Sequence, residues 1–182
     1  MKIYIQIRMN TAMRTFALIG AILVLLLPFS VYWITLDSQL GKTTIRGGDG
    51  LLYYNTHTEV GSSTHDETKS FGGKWLDKNG VYAGYFSTSN DDAARYVGLI
   101  VIVLLIAAIA LAVARPSNAA AIVLIVCGIL LLIMRFRKLD DANTSFYDKS
   151  STFGITTTYI EIPLGFILAL IFGLVDLKKG DR

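Results

Sequence analysis

Residues 15–36 read TFALIGAILVLLLPFSVYWITL, a run without a single charged side chain. How this run is read decides the fold. A helix needs about 20 apolar residues to cross roughly 30 Å of hydrocarbon, and the run is long enough. Pro28 lies inside it and is read as a kink. Lys2, Arg8 and Arg14 stand before it, like the basic start of a secretory leader. A leader has an apolar stretch of roughly 7–15 residues and then an A-x-A-like site. This run is longer and has no such site, so it is read as a retained span.

Working outward, three more apolar runs follow. Residues 96–114 and 117–134 are free of charge, and residues 159–177 keep Glu161 and Asp176 near their two ends. Those carboxylates are expected at the water interfaces, where charges cost little. The composition agrees with this reading. Hydrophobic residues make up 53% of the 182 and charged residues 17%, against about a quarter charged in ordinary soluble domains. The expected fold class is therefore membrane α+β. It is a single four-span domain over 1–182, a four-transmembrane-helix bundle carrying a small extracellular antiparallel β-sheet of about five strands.

Basic residues set the expected orientation. Lys2, Arg8, Arg14, Arg115, Lys178, Lys179 and Arg182 all fall on one side of such a bundle. The positive-inside rule makes that side cytoplasmic, so both termini are expected inside a plasma membrane. Arg135, Arg137 and Lys138 then fall outside, at a cost to the rule.

The outer segments are 37–95 and 135–161. Lys78-Asn79-Gly80 between Phe71–Asp77 and Val81–Thr88 reads as a hairpin, because Asn-Gly supplies the positive φ angles of a tight turn. A second hairpin is expected around Gly47-Gly48-Asp49-Gly50, joining Thr43–Arg46 to Leu51–Thr58. Phe153–Ile160 is rich in Thr, Ile and Tyr, which suits a strand. Asn143-Thr144-Ser145 matches a glycosylation sequon.

This arrangement, with several short motifs, resembles the claudin family. Trp33 stands at the end of the first run, Gly50-Leu51-Leu52 where the family has Gly-Leu-Trp, and Ala93-Ala94-Arg95 at the entry to the second run. Phe146-Tyr147-Asp148 is similar to the family's Phe-Tyr-Asn. The family's two loop cysteines are absent, because Cys127 is the only cysteine and lies within the third run. The resemblance implies lateral assembly in a membrane, adhesion or barrier formation.

Signals for chemistry are sparse. No ionisable residue interrupts the cores of the four runs, unlike the intramembrane charges of pumps and carriers. His57 and His65, with Glu59, Asp66 and Glu67 nearby, are read as a solvated loop, since a zinc site needs about four ligands in defined geometry. Asn90, Asp91 and Asp92 suit a helix cap. Gly47–Gly50 lacks the Lys-Ser/Thr of a phosphate loop. The expectation is no catalytic residue, no metal and no cofactor.

Two sets of residues are candidate interfaces. Gly165, Ala169 and Gly173, with Ala108 and Ala112, form small-residue stripes that let helices approach closely. They serve either packing within the chain or contact with a neighbouring subunit. Trp75, Tyr82, Tyr85, Phe86, Phe146 and Tyr147 are the candidate extracellular contact surface. The expected partners are the lipid bilayer and further copies or other membrane proteins, with no nucleic acid. The expected role is non-enzymatic assembly, adhesion or barrier formation. The alternatives are an accessory subunit of a larger membrane complex, and an extracellular ligand- or metal-binding sensor.

Overall fold

The structure is a computed structural model that describes residues 15–70, 92–114, 118–141 and 144–180. It divides the opening run into a helix and a strand. The described part of α1 covers Thr15–Leu26, and its last turn closes with Leu27 N–H donating to the Leu23 carbonyl at 2.8 Å. Strand β1 then runs from Pro28 to Ser38. Proline supplies no N–H and resists a helix interior. After it, Val31, Tyr32, Trp33, Ile34 and Thr35 are residues that pack well on a pleated surface.

The remaining elements follow in order. They are β2 (Gly41–Gly50), β3 (Tyr53–Val60), β4 (Ser63–Ser70), α2 (Asp92–Ala114), α3 (Ala119–Asp141), β5 (Tyr147–Thr152), β6 (Ile155–Ile162) and α4 (Leu164–Gly180). The strands form one antiparallel sheet in the order β4-β3-β2-β1-β6-β5. β1 is central because it leaves α1 directly, and β6 pairs with it and leads through Pro163 into α4. Pro163 suits that place, where its missing N–H is not needed and its carbonyl accepts from Ile167 at 3.2 Å.

Several expectations are corrected here. Among the described residues one helix, α3 over Ala119–Phe136, is long and apolar enough to cross a membrane. The apolar stretches Thr15–Leu26 and Ile100–Ala114 are shorter, and α4 has 17 residues. The expected four-transmembrane-helix bundle with a small five-stranded sheet is overturned. The chain is an α+β fold organised on a six-stranded antiparallel sheet. The physical reason is that an apolar run does not by itself distinguish helix from strand. Residues 28–36 and 159–162, assigned to spans, are strand instead. Residues 47–50 lie within β2 and not in a turn. The chain reverses at Leu51 and Leu52. The second outer segment contributes two strands where one was expected. The expected hairpin at Asn79-Gly80, Asn143 and Arg115 lie outside the described residues.

The helices pack through small side chains. On α4, a side chain at Gly173 would collide with Ile125, and one at Gly165 would come within 2.6 Å of the Phe29 Cβ. Ala169 is fully buried, and a Cβ on Gly128 of α3 would come within 2.6 Å of it. Gly20 of α1 faces Phe172 and Leu124 in the same way. The resulting core contains Val24, Phe29, Leu51, Val101, Leu105, Leu124, Cys127 and Leu131. A second cluster joins Ala17, Ala112, Ala120 and Ala121.

Candidate functional site

Alternation along a strand and the cross-strand register together fix which residues share a face. Tyr32 lies opposite Glu161, Ser30 opposite Asp49, and Ile34 opposite Tyr159. All six point to one face of the sheet, near its helical end. Arg135, from the last part of α3, reaches this face from below.

Its guanidinium is the centre of a buried ionic cluster. Nε and Nη2 of Arg135 meet the two carboxylate oxygens of Glu161. Nη1 lies 3.6 Å from Asp49 Oδ2, and Nη2 donates to the Tyr159 hydroxyl at 2.8 Å. The hydroxyls of Ser30 and Tyr159 also donate to Glu161. Every contact to Glu161 is therefore from a donor, which suits an ionised carboxylate that only accepts. The paired Arg–carboxylate geometry fixes orientation as well as charge. Ser30, Asp49, Arg135 and Glu161 are all buried. Burial, followed by the hydrogen bond to Glu161, raises the pKa of the Tyr159 phenol well above its usual value. It therefore stays a donor across the physiological range.

A second cluster lies on the opposite face, farther from the helices. Trp33, Arg46, His57 and Asp66 stand in one row across β1, β2, β3 and β4. His57 Nδ1 meets Asp66, and Nε2 lies 3.1 Å from Glu59, which itself lies 3.9 Å from Arg46. A neutral imidazole can donate from only one nitrogen. Two carboxylate partners therefore favour the doubly protonated ring. The His57 pKa is raised, first by Asp66 and then by Glu59. The group is a clasp between β3 and the edge strand β4.

The residues singled out from sequence are distributed as follows. Gly165, Ala169 and Gly173 face α3 of the same chain, and Ala108 and Ala112 are buried among the helices. Trp33 is central in β1, Gly50 ends β2, and Leu51 is fully buried beside it, followed by the half-buried Leu52. Arg95 lies in α2. Phe146 packs edge-on against Phe136 with ring centres 4.9 Å apart, whereas Tyr147 is exposed at the start of β5. Trp75, Tyr82, Tyr85 and Phe86 lie outside the described residues. His57 and His65 are on strands rather than a loop, and they point to opposite faces. Among the described residues no group of three or more potential ligands is placed to hold a metal ion.

Sequence reasoning missed the ionic base. It placed Glu161 and Asp176 at water interfaces, yet both are buried. It counted Arg135 only as an exception to a charge rule. The available signal was one basic residue at the end of an apolar run and one acidic residue at the start of another.

No protein-family model matches the chain, and no curated protein matches it.

Proposed function

We propose that this chain is a non-enzymatic protein held at a lipid bilayer by its helical layer, where it serves in assembly or adhesion and presents its sheet to water. One observation carries this reading: the helices are apolar on their outward faces as well as their inward ones. Ile122, Val126, Ile129, Ile133 and Phe136 form an exposed stripe along α3. Ile100, Val103, Ile106 and Val113 do the same on α2, and Ile167, Ile171 and Leu174 on α4. A helix apolar all round belongs in a core or in lipid. Exposed apolar patches beyond a few hundred Å² are uncommon on monomers in water. The sheet is different in kind, because its outer parts are rich in Thr, Ser and charge.

The ionic base supports the same reading. Arg135 lies one residue before Phe136, where the apolar part of α3 ends, and it ties α3 to Asp49 of β2 and to Tyr159 and Glu161 of β6. A rigid attachment of this kind suits a domain that must hold its orientation to a membrane. Side-by-side association is taken from the claudin resemblance. The small-residue stripe of α4 is already used within the chain, so the sheet and the outward helical faces remain for contact between copies. Washing native membranes at alkaline pH tests the attachment, and native mass spectrometry after mild release tests the association. The protein should stay with the membrane and then give homo-oligomers. Release by the wash would refute the attachment. A fixed complex with a different, larger protein would favour an accessory subunit instead.

A further inference from the structure

The end of the sheet away from the helices carries two large apolar side chains that are fully exposed, Leu40 and Phe153. Each sits in a two-residue turn, Leu40 between β1 and β2 and Phe153 between β5 and β6. The register makes them level. Asp37 lies opposite Thr156, and continuing that pairing outward sets residue 40 against residue 153. The two turns are two strand spacings apart, roughly 10 Å. Both stand about 30 Å along the strand from Ser30 in the ionic base, at roughly 3.3 Å per residue.

Phe153 also has an unfavourable backbone. Its φ is 52°, and it is the only non-glycine residue with positive φ among those described. Gly154 follows with φ 77°. Such a turn favours Asn, Asp or Gly at its first position. A phenylalanine there is disfavoured by its backbone, and its side chain is fully exposed. Local strain of this kind concentrates where a side chain must be presented.

We propose that this rim is a pair of apolar fingers that insert into the surface of a lipid bilayer. Leu40 and Phe153, with the partly exposed Val60 and Ile155 beside the turns, are separate side chains that fall far short of the roughly 800 Å² per partner of a standard protein interface. Hydrocarbon requires no matching surface and accepts single side chains. The rim charges also suit a zwitterionic surface, since Asp37 and Lys42 are cross-strand partners and cancel. The inference rests on the helical layer lying in one bilayer. The fingers then point away from it and reach a second, apposed bilayer, which makes the protein a bridge between membranes.

The test uses the full chain in nanodiscs, mixed with phosphatidylcholine liposomes and floated on a density gradient. Failure to enter nanodiscs would count against the helical attachment and not against the rim. Discs carrying the protein should float with the liposomes, and empty discs should not. Fully burying a Leu or Phe side chain is worth roughly tenfold to a hundredfold in partition, so Leu40→Ser with Phe153→Ser should weaken recruitment by at least about 100-fold. Phe153→Asn guards against misfolding, because Asn fits the turn better and should still weaken recruitment at least tenfold. Loaded discs that ignore liposomes, or variants that bind as well as the parent, would overturn the proposal. Discs that pair with one another and not with liposomes would overturn it in favour of a second copy.

Discussion

Replacing Arg135 with Met should be among the most damaging single changes in this chain. The substitution keeps much of the side-chain volume and removes the guanidinium. Glu161 would keep the Ser30 and Tyr159 donors but lose its counter-charge, and Asp49 would lose the cation 3.6 Å away. The side chains of Arg135, Asp49 and Glu161 are 6%, 9% and 0% exposed, so water cannot replace what is lost. Breaking a buried pair by removing one partner costs about 3–5 kcal/mol. For a chain of this size each kcal/mol moves the melting temperature by roughly 2–4 °C, so the expected fall is roughly 6–20 °C. Arg46→Met is the control. Arg46 meets Glu59 at 3.9 Å with 55% and 38% of the side chains exposed, and exposed pairs contribute about 0–1 kcal/mol. Thermal unfolding in mild detergent, followed by circular dichroism, reads both variants. Adding Glu161→Gln to Arg135→Met should restore part of the loss, since one of the two carboxylates left without the guanidinium is then neutral. Equal effects of Arg135→Met and Arg46→Met would refute the reasoning, as would no recovery in the double variant.

Other predictions follow from the same geometry. Gly173→Val should lower stability by about 1–3 kcal/mol, because the new side chain meets Ile125 and the Ala121 carbonyl; thermal melts read it, and Ile125→Ala should relieve part of the loss. Gly47→Ala should also destabilise, since the Tyr32 ring lies across that position toward Thr56, and Tyr32→Ala in the same chain should remove the clash. Phe153→Asn should raise stability by up to about 1 kcal/mol by relieving the left-handed backbone, a shift that melting would show. His57 should titrate above its ordinary 6.5. A folded pKa above the unfolded one means that its stabilisation is complete below about 6.5 and is lost as pH rises through the folded pKa. NMR of the His57 ring should show the raised midpoint, and Asp66→Asn should lower it more than Glu59→Gln does.

Much of the fold was legible, but its most important boundary was not. The cores of α2, α3 and α4 follow from uninterrupted apolar runs, and β6 from strand-type composition. The break at Pro28 was misread because Val31–Leu36 is as apolar as the helix before it. Composition measures burial, whereas the choice between helix and strand depended on β6 and β2 lying beside β1. Gly47 and Gly48 were misread for a related reason. They looked like a turn, yet they are glycine because the Tyr32 ring and Pro28 lie against them in the folded sheet. The ionic base was hidden because its members come from positions 30, 49, 135, 159 and 161. Only the pairing of β1 with β2 and β6, over the end of α3, brings them together. The internal role of the Gly165–Gly173 stripe was one of two readings open from sequence, and facing positions on α3 decide where it packs.

The central claim is that lipid covers the outward faces of the helices. Spin labels at Val103, Ile129 and Ile171, compared with labels at Lys42 and Ser150 on the sheet, test it most directly in reconstituted bilayers. Collision rates with oxygen, which concentrates in hydrocarbon, and with a water-soluble nickel chelate give the contrast. High oxygen and low nickel accessibility at the three helical positions, with the reverse on the sheet, is the predicted result. Nickel access at Ile129 equal to that at Lys42 would contradict the claim.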